Sequence, residues 1–152
     1  MNSKAIEEFR SFNRFYTSVI GLLDKHILNS SYTLAEVRIL YELYHGKDVT
    51  ASDLVERLSI DKGYLSRVLL QFAKRKFLTR ERSQADTRVV LINLTQAGKK
   101  EFEVLNKSSN DQIKEILRKL SGKDLDLLLA SMSQIKTILK QKNNYEKPDQ
   151  RR

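Results

Sequence analysis

The 152-residue chain carries 28 Lys/Arg against 19 Asp/Glu, a net charge of +9, and no cysteine, which excludes disulfide bracing, cysteine-based zinc sites and thiol redox sensing. No apolar run approaches the ~20 residues that span a bilayer, and the opening Met1-Asn-Ser-Lys-Ala-Ile-Glu-Glu lacks a signal-peptide core, so no membrane partner is expected and the cytoplasm is the expected compartment. The basic surplus favours polyanionic partners, and one proline with five glycines leaves little to interrupt helices, so the chain should be mainly α.

Taken in order, the first helix is expected over about residues 3–28, with Ile6, Phe9, Phe12, Tyr16, Val19 and Leu23 at three- and four-residue steps. Thr33-Leu-Ala-Glu36 is a capping-box pattern opening a second helix that carries Val37, Leu40, Tyr41 and Tyr44 and stops near Gly46. Thr50-Ala-Ser-Asp53 starts a third helix, Ala51 to Leu58, in similar style. A tight turn, Ser59-Ile60-Asp61, leads to a fourth, Lys62 to Arg75, capped by Asp61. Phe77–Arg82 and Arg88–Leu94 read as two strands around a polar loop.

Thr95 then caps a long fifth helix marked by Phe102, Leu105, Ser109, Ile113, Ile116 and Leu120. Ser121-Gly-Lys-Asp124 breaks it, and a sixth runs from about Asp124 to Lys140 with Leu128, Met132, Ile135 and Leu139. Residues 1–142 are expected to form one domain, followed by a flexible basic tail over 143–152. The winged core spans about 33–95, and the long helices about 3–28 and 95–140 serve dimerisation.

Two short helices, a turn and a basic hairpin make a winged helix-turn-helix, whose second helix is built to enter a DNA major groove. Between Lys62 and Arg88 lie eight basic residues (Lys62, Arg67, Lys74, Arg75, Lys76, Arg80, Arg82, Arg88) against Glu81 and Asp86, so six of the nine net charges fall here. On the fourth helix Leu65, Val68, Leu69 and Phe72 must face the core, which turns Lys62, Tyr64, Ser66, Arg67, Gln71 and Lys74 outward. Arginine pairs with guanine O6 and N7 and glutamine with adenine N6 and N7, so Arg67 and Gln71 are the expected base readers. Tyr64, Ser66 and Ser52 suit phosphates or base edges, and the first amides of the third helix could hold another phosphate. Arg88, with Arg82 beside it, is placed to enter a narrow minor groove. Asp86 and Arg88 are also placed to pair across the hairpin, which would aim the guanidinium in advance.

The apolar stripes of the first and last two helices exceed what a small winged unit can bury. A symmetric homodimer with interleaved terminal helices covers them; an intramolecular bundle is the alternative. Phe12, Tyr16, Arg38, Tyr41 and Tyr44 are candidates to line an effector cleft between helices one and two, the alternative being that the aromatics are core and Arg38 an ion-pair partner. His26 and His45 have no ligand cluster at metal spacing, and the serines have no paired histidine, so neither metal, cofactor nor catalytic centre is expected.

Asp61-Lys-Gly-Tyr-Leu-Ser-Arg67, Asp86-Thr-Arg88 and Leu94-Thr-Gln-Ala-Gly98 together resemble the MarR family of bacterial transcription regulators, closely over about residues 33–105. The resemblance implies a homodimer with two winged units on a pseudo-palindromic operator, often released by a small anionic or aromatic effector. Thr87 stands where the family often has a second wing arginine, which lowers the charge of the tip. Tyr64 and Ser11-Phe-Asn-Arg-Phe-Tyr-Thr17 resemble a subgroup whose members often carry a fused acetyltransferase domain, for which this chain is too short. The expected function is thus a double-stranded-DNA-binding regulator, a repressor since occupancy alone blocks a promoter. The alternatives are the regulatory half of an acetyltransferase system, or a protein-interaction module without DNA binding.

Overall fold

The computed structural model describes residues 2–20 and 30–143. The expected end of the first helix, with Leu23 and His26, and the basic tail from residue 144 onward lie outside the described residues. The order is α1 (Ser3–Val19), α2 (Leu34–His45), α3 (Ala51–Leu58), α4 (Lys62–Lys74), β1 (Leu78–Arg82), β2 (Val90–Leu94), α5 (Gln96–Leu117) and α6 (Gly122–Asn143). Two compact units divide at Asn110/Asp111. No described helix is long and apolar enough to cross a membrane.

Local chemistry sets the helix starts. Thr33 Oγ1 accepts the Glu36 amide while Glu36 accepts the Thr33 amide, and Thr50 with Asp53 repeats this reciprocal cap. Asp61 accepts the Tyr64 amide at 2.7 Å, and Thr95 Oγ1 accepts that of Gly98 at 3.1 Å. Ser59 ends α3 in the left-handed region at φ 51°, which turns the chain sharply toward α4.

The end of α4 is closed as firmly. Lys76 stands at φ 59°, its amide donates to Ala73 and that of Phe77 donates to Phe72, each at 2.9 Å. This is a Schellman motif, with the Phe72 and Phe77 rings 6.3 Å apart as its apolar contact. It directs the chain from the recognition helix straight into the wing.

β1 and β2 are antiparallel in the register Leu78↔Leu94 to Arg82↔Val90. A single-residue bridge joins Val49 to Ile92, so the segment between α2 and α3 also holds the wing's inner strand. The core of the first unit gathers Ile39, Leu40, Leu43, Val49, Leu54, Leu65, Val68, Leu69, Phe72, Ile92, Leu94 and Phe102. The Arg75 guanidinium lies over the Tyr32 and Phe77 rings, 4.9 and 4.5 Å from their centroids, and 3.7 Å from Glu101. Tyr32 donates to the same carboxylate at 2.8 Å. Burial, followed by that anionic partner, pushes the Tyr32 phenol well up, so it remains a donor at any ordinary pH. This clasp ties the entry to α2, the end of α4 and the start of α5 together.

Several elements differ from the sequence expectation. The buried face of α2 is Glu36, Ile39, Leu40 and Leu43, whereas Val37 and Tyr44 only flank the core and Tyr41 is exposed. The strands begin one and two residues later than expected, and α6 begins two residues earlier, at Gly122. No residue of α1 is buried, and Phe9, Phe12 and Phe15 stand exposed.

Gly98 packs directly on the Phe77 backbone: a Cβ there would overlap the Phe77 carbonyl and crowd Leu94. Since that obstacle is main chain, Gly98→Ala must displace α5 from the wing base. A loss of about 1–3 kcal/mol is expected, the usual cost of overpacking, measurable as a shift in urea midpoint.

Candidate nucleic-acid interface

The basic helix α4 is held by its own inner stripe, Leu65, Val68, Leu69 and Phe72, all buried as the periodicity predicts. Its outer residues Lys62, Ser66, Arg67, Gln71 and Lys74 are all exposed. With the inner face locked and the N-terminus capped, Arg67 and Gln71 project one turn apart from a rigid rod. That is the disposition required for side chains that read base edges.

Tyr64 is placed differently from the expectation. It is half-buried and packs against the core, with its hydroxyl 3.2 Å from Thr33 Oγ1. The ring lies at the flank of the inner stripe, so Tyr64 braces α4 on the N-terminus of α2 and does not stand on the open face. Ser52 is exposed at the start of α3, where Asp53 already takes up the Thr50 amide at 2.8 Å. Hydrogen bonds from the Thr50 backbone and hydroxyl hold the Asp53 carboxyl below its usual range. A phosphate at this helix end would therefore meet a carboxylate already in place.

The wing tip is a folded turn. Ser83 donates to Val89 O, and Val89 to Asp86 O, both at 2.9 Å. Arg88 grips Asp86 through Nε at 3.1 Å and Nη2 at 3.0 Å, and its own amide donates to Oδ1 at 3.0 Å. The Arg88 side chain remains 89% exposed, and Arg82 is exposed on the same hairpin. Pairing and projection therefore coexist: the carboxylate sets the direction of a guanidinium that still faces outward.

The Arg88 side chain, then its amide, hold the Asp86 carboxyl below the usual carboxylate range. Because folding lowers this value, the clasp is present above the ordinary aspartate value near ~3.9 and is lost only as pH falls through the lowered one. The Arg88 Nε–H resonance should thus be unchanged from about pH 7 to about pH 5, and should move only in stronger acid. A change centred near neutrality would contradict the clasp.

The expected effector residues occupy separate places. Phe12 and Tyr16 stack on each other along α1 at 5.7 Å. Tyr41 lies 4.1 Å from His45 and edge-on to Phe102. Arg38 lines a cavity of about 190 Å³ with Leu34, Ala35, Leu58 and Ile60, between α2 and the α3–α4 turn. Neither that cavity nor the shallow depression along α6 at Ala130, Ser133, Gln134, Thr137 and Ile138 is lined by Phe12, Tyr16 or Tyr41. Among the described residues there is no group of three or more His, Cys, Asp or Glu that could hold a metal.

Two further residues share the outer face of α4 without a polar side chain to mark them in the sequence: Gly63 and Leu70. Leu70 is 52% exposed and follows Arg67 by three residues. The signal for both is the i, i+4, i+7, i+11 stripe from Gly63 through Arg67 and Leu70 to Lys74.

A sequence model described as the MarR family matches residues 30–89. The organic hydroperoxide resistance transcriptional regulator of Bacillus subtilis is 34% identical over 124 residues, covering 80% of this chain and 79% of that protein. The uncharacterized HTH-type transcriptional regulator YdgJ of the same organism is 28% identical over 112 residues, 74% of this chain and 66% of YdgJ. In fold, the chain is similar to Streptococcus pneumoniae FabT, whose crystal structure is in complex with DNA, with a TM-score of 0.74 at 17% identity, covering 92% of this chain and 99% of that one. On the family match and the one-third identity over most of both chains, with a capped recognition helix and a two-stranded wing in the expected order, the chain belongs to the MarR family of winged helix-turn-helix transcriptional regulators.

Proposed function

We propose that this protein is a homodimeric repressor acting in the cytoplasm, which places α4 of each subunit in successive major grooves of a pseudo-palindromic operator. The observation that carries this reading is the outer face of α4: five exposed polar side chains on a helix whose inner face is wholly buried. Arg67 and Gln71 are assigned to base edges, Lys62, Ser66, Ser52 and Lys74 to the backbone, Arg88 and Arg82 to the minor groove, and Tyr64 to bracing the helix. The protein acts by occupancy, without a cofactor and without catalysis, and both compact units serve this single task.

Dimerisation is supported by the apolar residues left open in one chain, among them Phe9 and Phe15 on α1 and Leu127, Ile135 and Ile138 on α6. A second copy would cover them. Light scattering at micromolar concentration should return twice the 17.7 kDa chain mass, and a random duplex should bind at low salt and be released steeply as salt rises. A stable monomer, or no DNA binding at low salt, would remove the proposal.

We further assign Arg38 the task of meeting a small anionic or aromatic effector. Its cavity of about 190 Å³ falls below the ~300 Å³ usual for drug-sized ligands, so the ligand would be small, and Tyr16 and Tyr41 would reach it only after rearrangement. Release requires that the effector bind a DNA-incompetent state more tightly than the competent one. Titration with salicylate-like acids should weaken operator binding, and Arg38→Ala should blunt that effect while leaving ligand-free affinity unchanged. Unchanged DNA binding at millimolar ligand would dismiss the effector.

A further inference from the structure

Resting on the DNA reading above, we infer that Leu70 is a specificity-determining residue that selects a thymine by its C5-methyl group. A solitary exposed leucine is ordinary on a protein surface. This one differs in its neighbours. It lies on the stripe that runs from Gly63 through Arg67 to Lys74, opposite the buried residues of α4, and is flanked by Ser66 and Gln71. It is 52% exposed, so the core takes little from it. Gly63, one turn before Arg67 on this stripe, adds no side-chain bulk, which lets the start of the helix approach a surface closely.

If α4 enters a major groove, Leu70 enters with it, midway along the helix. The floor of that groove offers hydrogen-bonding groups at every base except for one apolar feature, the thymine methyl. Against that methyl, leucine buries apolar surface and leaves no polar group stranded. Against guanine O6 or N7, or cytosine N4, it displaces water and returns no hydrogen bond, so those bases are disfavoured as well. The same side chain therefore attracts one base and rejects others.

Its position narrows the prediction further. Three residues of helix advance about 4.5 Å, close to one base-pair rise of about 3.4 Å. The selected thymine should therefore lie in the base pair next to the one read by Arg67. Gln71, adjacent in sequence, is suited to an adenine, so the pair favours an A·T step beside the arginine contact.

The test uses a palindromic duplex chosen by selection from a random pool, and the same duplex with one thymine in each half-site replaced by deoxyuridine, which removes only the methyl. Wild-type protein should lose about fourfold in affinity per half-site, or about fifteenfold for both, at the sensitive position. Leu70→Ala should bind the thymine and uracil duplexes equally; the site is exposed, so the variant should fold, as circular dichroism would verify. If wild type discriminates the selected duplex from a scrambled one yet ignores uracil at every position, the inference about Leu70 fails while the DNA reading stands. If Leu70→Ala keeps the full thymine preference, the inference also fails. If wild type does not discriminate the selected duplex at all, the DNA reading itself fails, and this inference with it.

Discussion

Arg67→Ala is expected to lower operator affinity by about thirtyfold to twenty-thousandfold and to erase sequence preference at one or two base pairs of each half-site. A good bidentate arginine–guanine pair discriminates by about 1–3 kcal/mol, and a symmetric dimer makes that pair twice. Arg67 is exposed and opposite the stripe that anchors α4, so truncation should leave the fold intact. Lys74 lies on the same face two turns later and supplies a compact charge suited to phosphate. Its truncation should weaken all sequences alike and reduce the slope of log affinity against log salt by about 0.9 for each phosphate that Lys74 neutralises. Anisotropy titrations of both variants against a panel of single-base operator changes, at several salt concentrations, would separate the two roles. Identical base profiles for the two variants would show that the division into reading and tracking residues is wrong.

Phe72→Ala should have the largest effect on stability. Its side chain is fully buried at 0% exposure, lies edge-on to Tyr32 at 6.4 Å and meets Phe77 at 6.3 Å. Through Phe77 it also supports the motif that ends the recognition helix, and through Tyr32 it supports the Arg75–Glu101 clasp. Truncation of a buried phenylalanine costs about 3–5 kcal/mol, against a usual total of about 5–15 kcal/mol for a domain. The melting temperature should fall by roughly 6–20 °C, with the urea midpoint falling in parallel. A cost below about 1 kcal/mol would mean that the inner face of α4 is not the central support of the winged unit.

The recognition helix is legible in the sequence because both of its faces carry a signal: four apolar residues at helical spacing inside, charge and amide groups outside. The four capped starts of α2 to α5 are legible for a similar reason, since each cap is a contact between residues three apart. The face of α2 is not. Apolar residues surround much of that helix, so periodicity finds Leu40 but cannot choose between neighbours at Val37, Tyr41 and Tyr44 and the buried ones at Ile39 and Leu43. Packing against α3 and against β2, which is distant in sequence, decides it. Val49 is a one-residue bridge and has no period to detect. For Leu70 only its place on the outer stripe is legible in the sequence; that an apolar residue there stays open to solvent is known only from the fold. The apolar stripes of α1 and α6 are legible as stripes, but what covers them is a property of more than one chain.

The most direct test of the account is selection of bound duplexes from a random DNA pool by the full chain. The expected product is an inverted repeat whose half-site centres lie about 10 base pairs apart, one duplex turn, each carrying a guanine with a neighbouring thymine. Failure to enrich any sequence, or enrichment of a single unrepeated half-site, would contradict it.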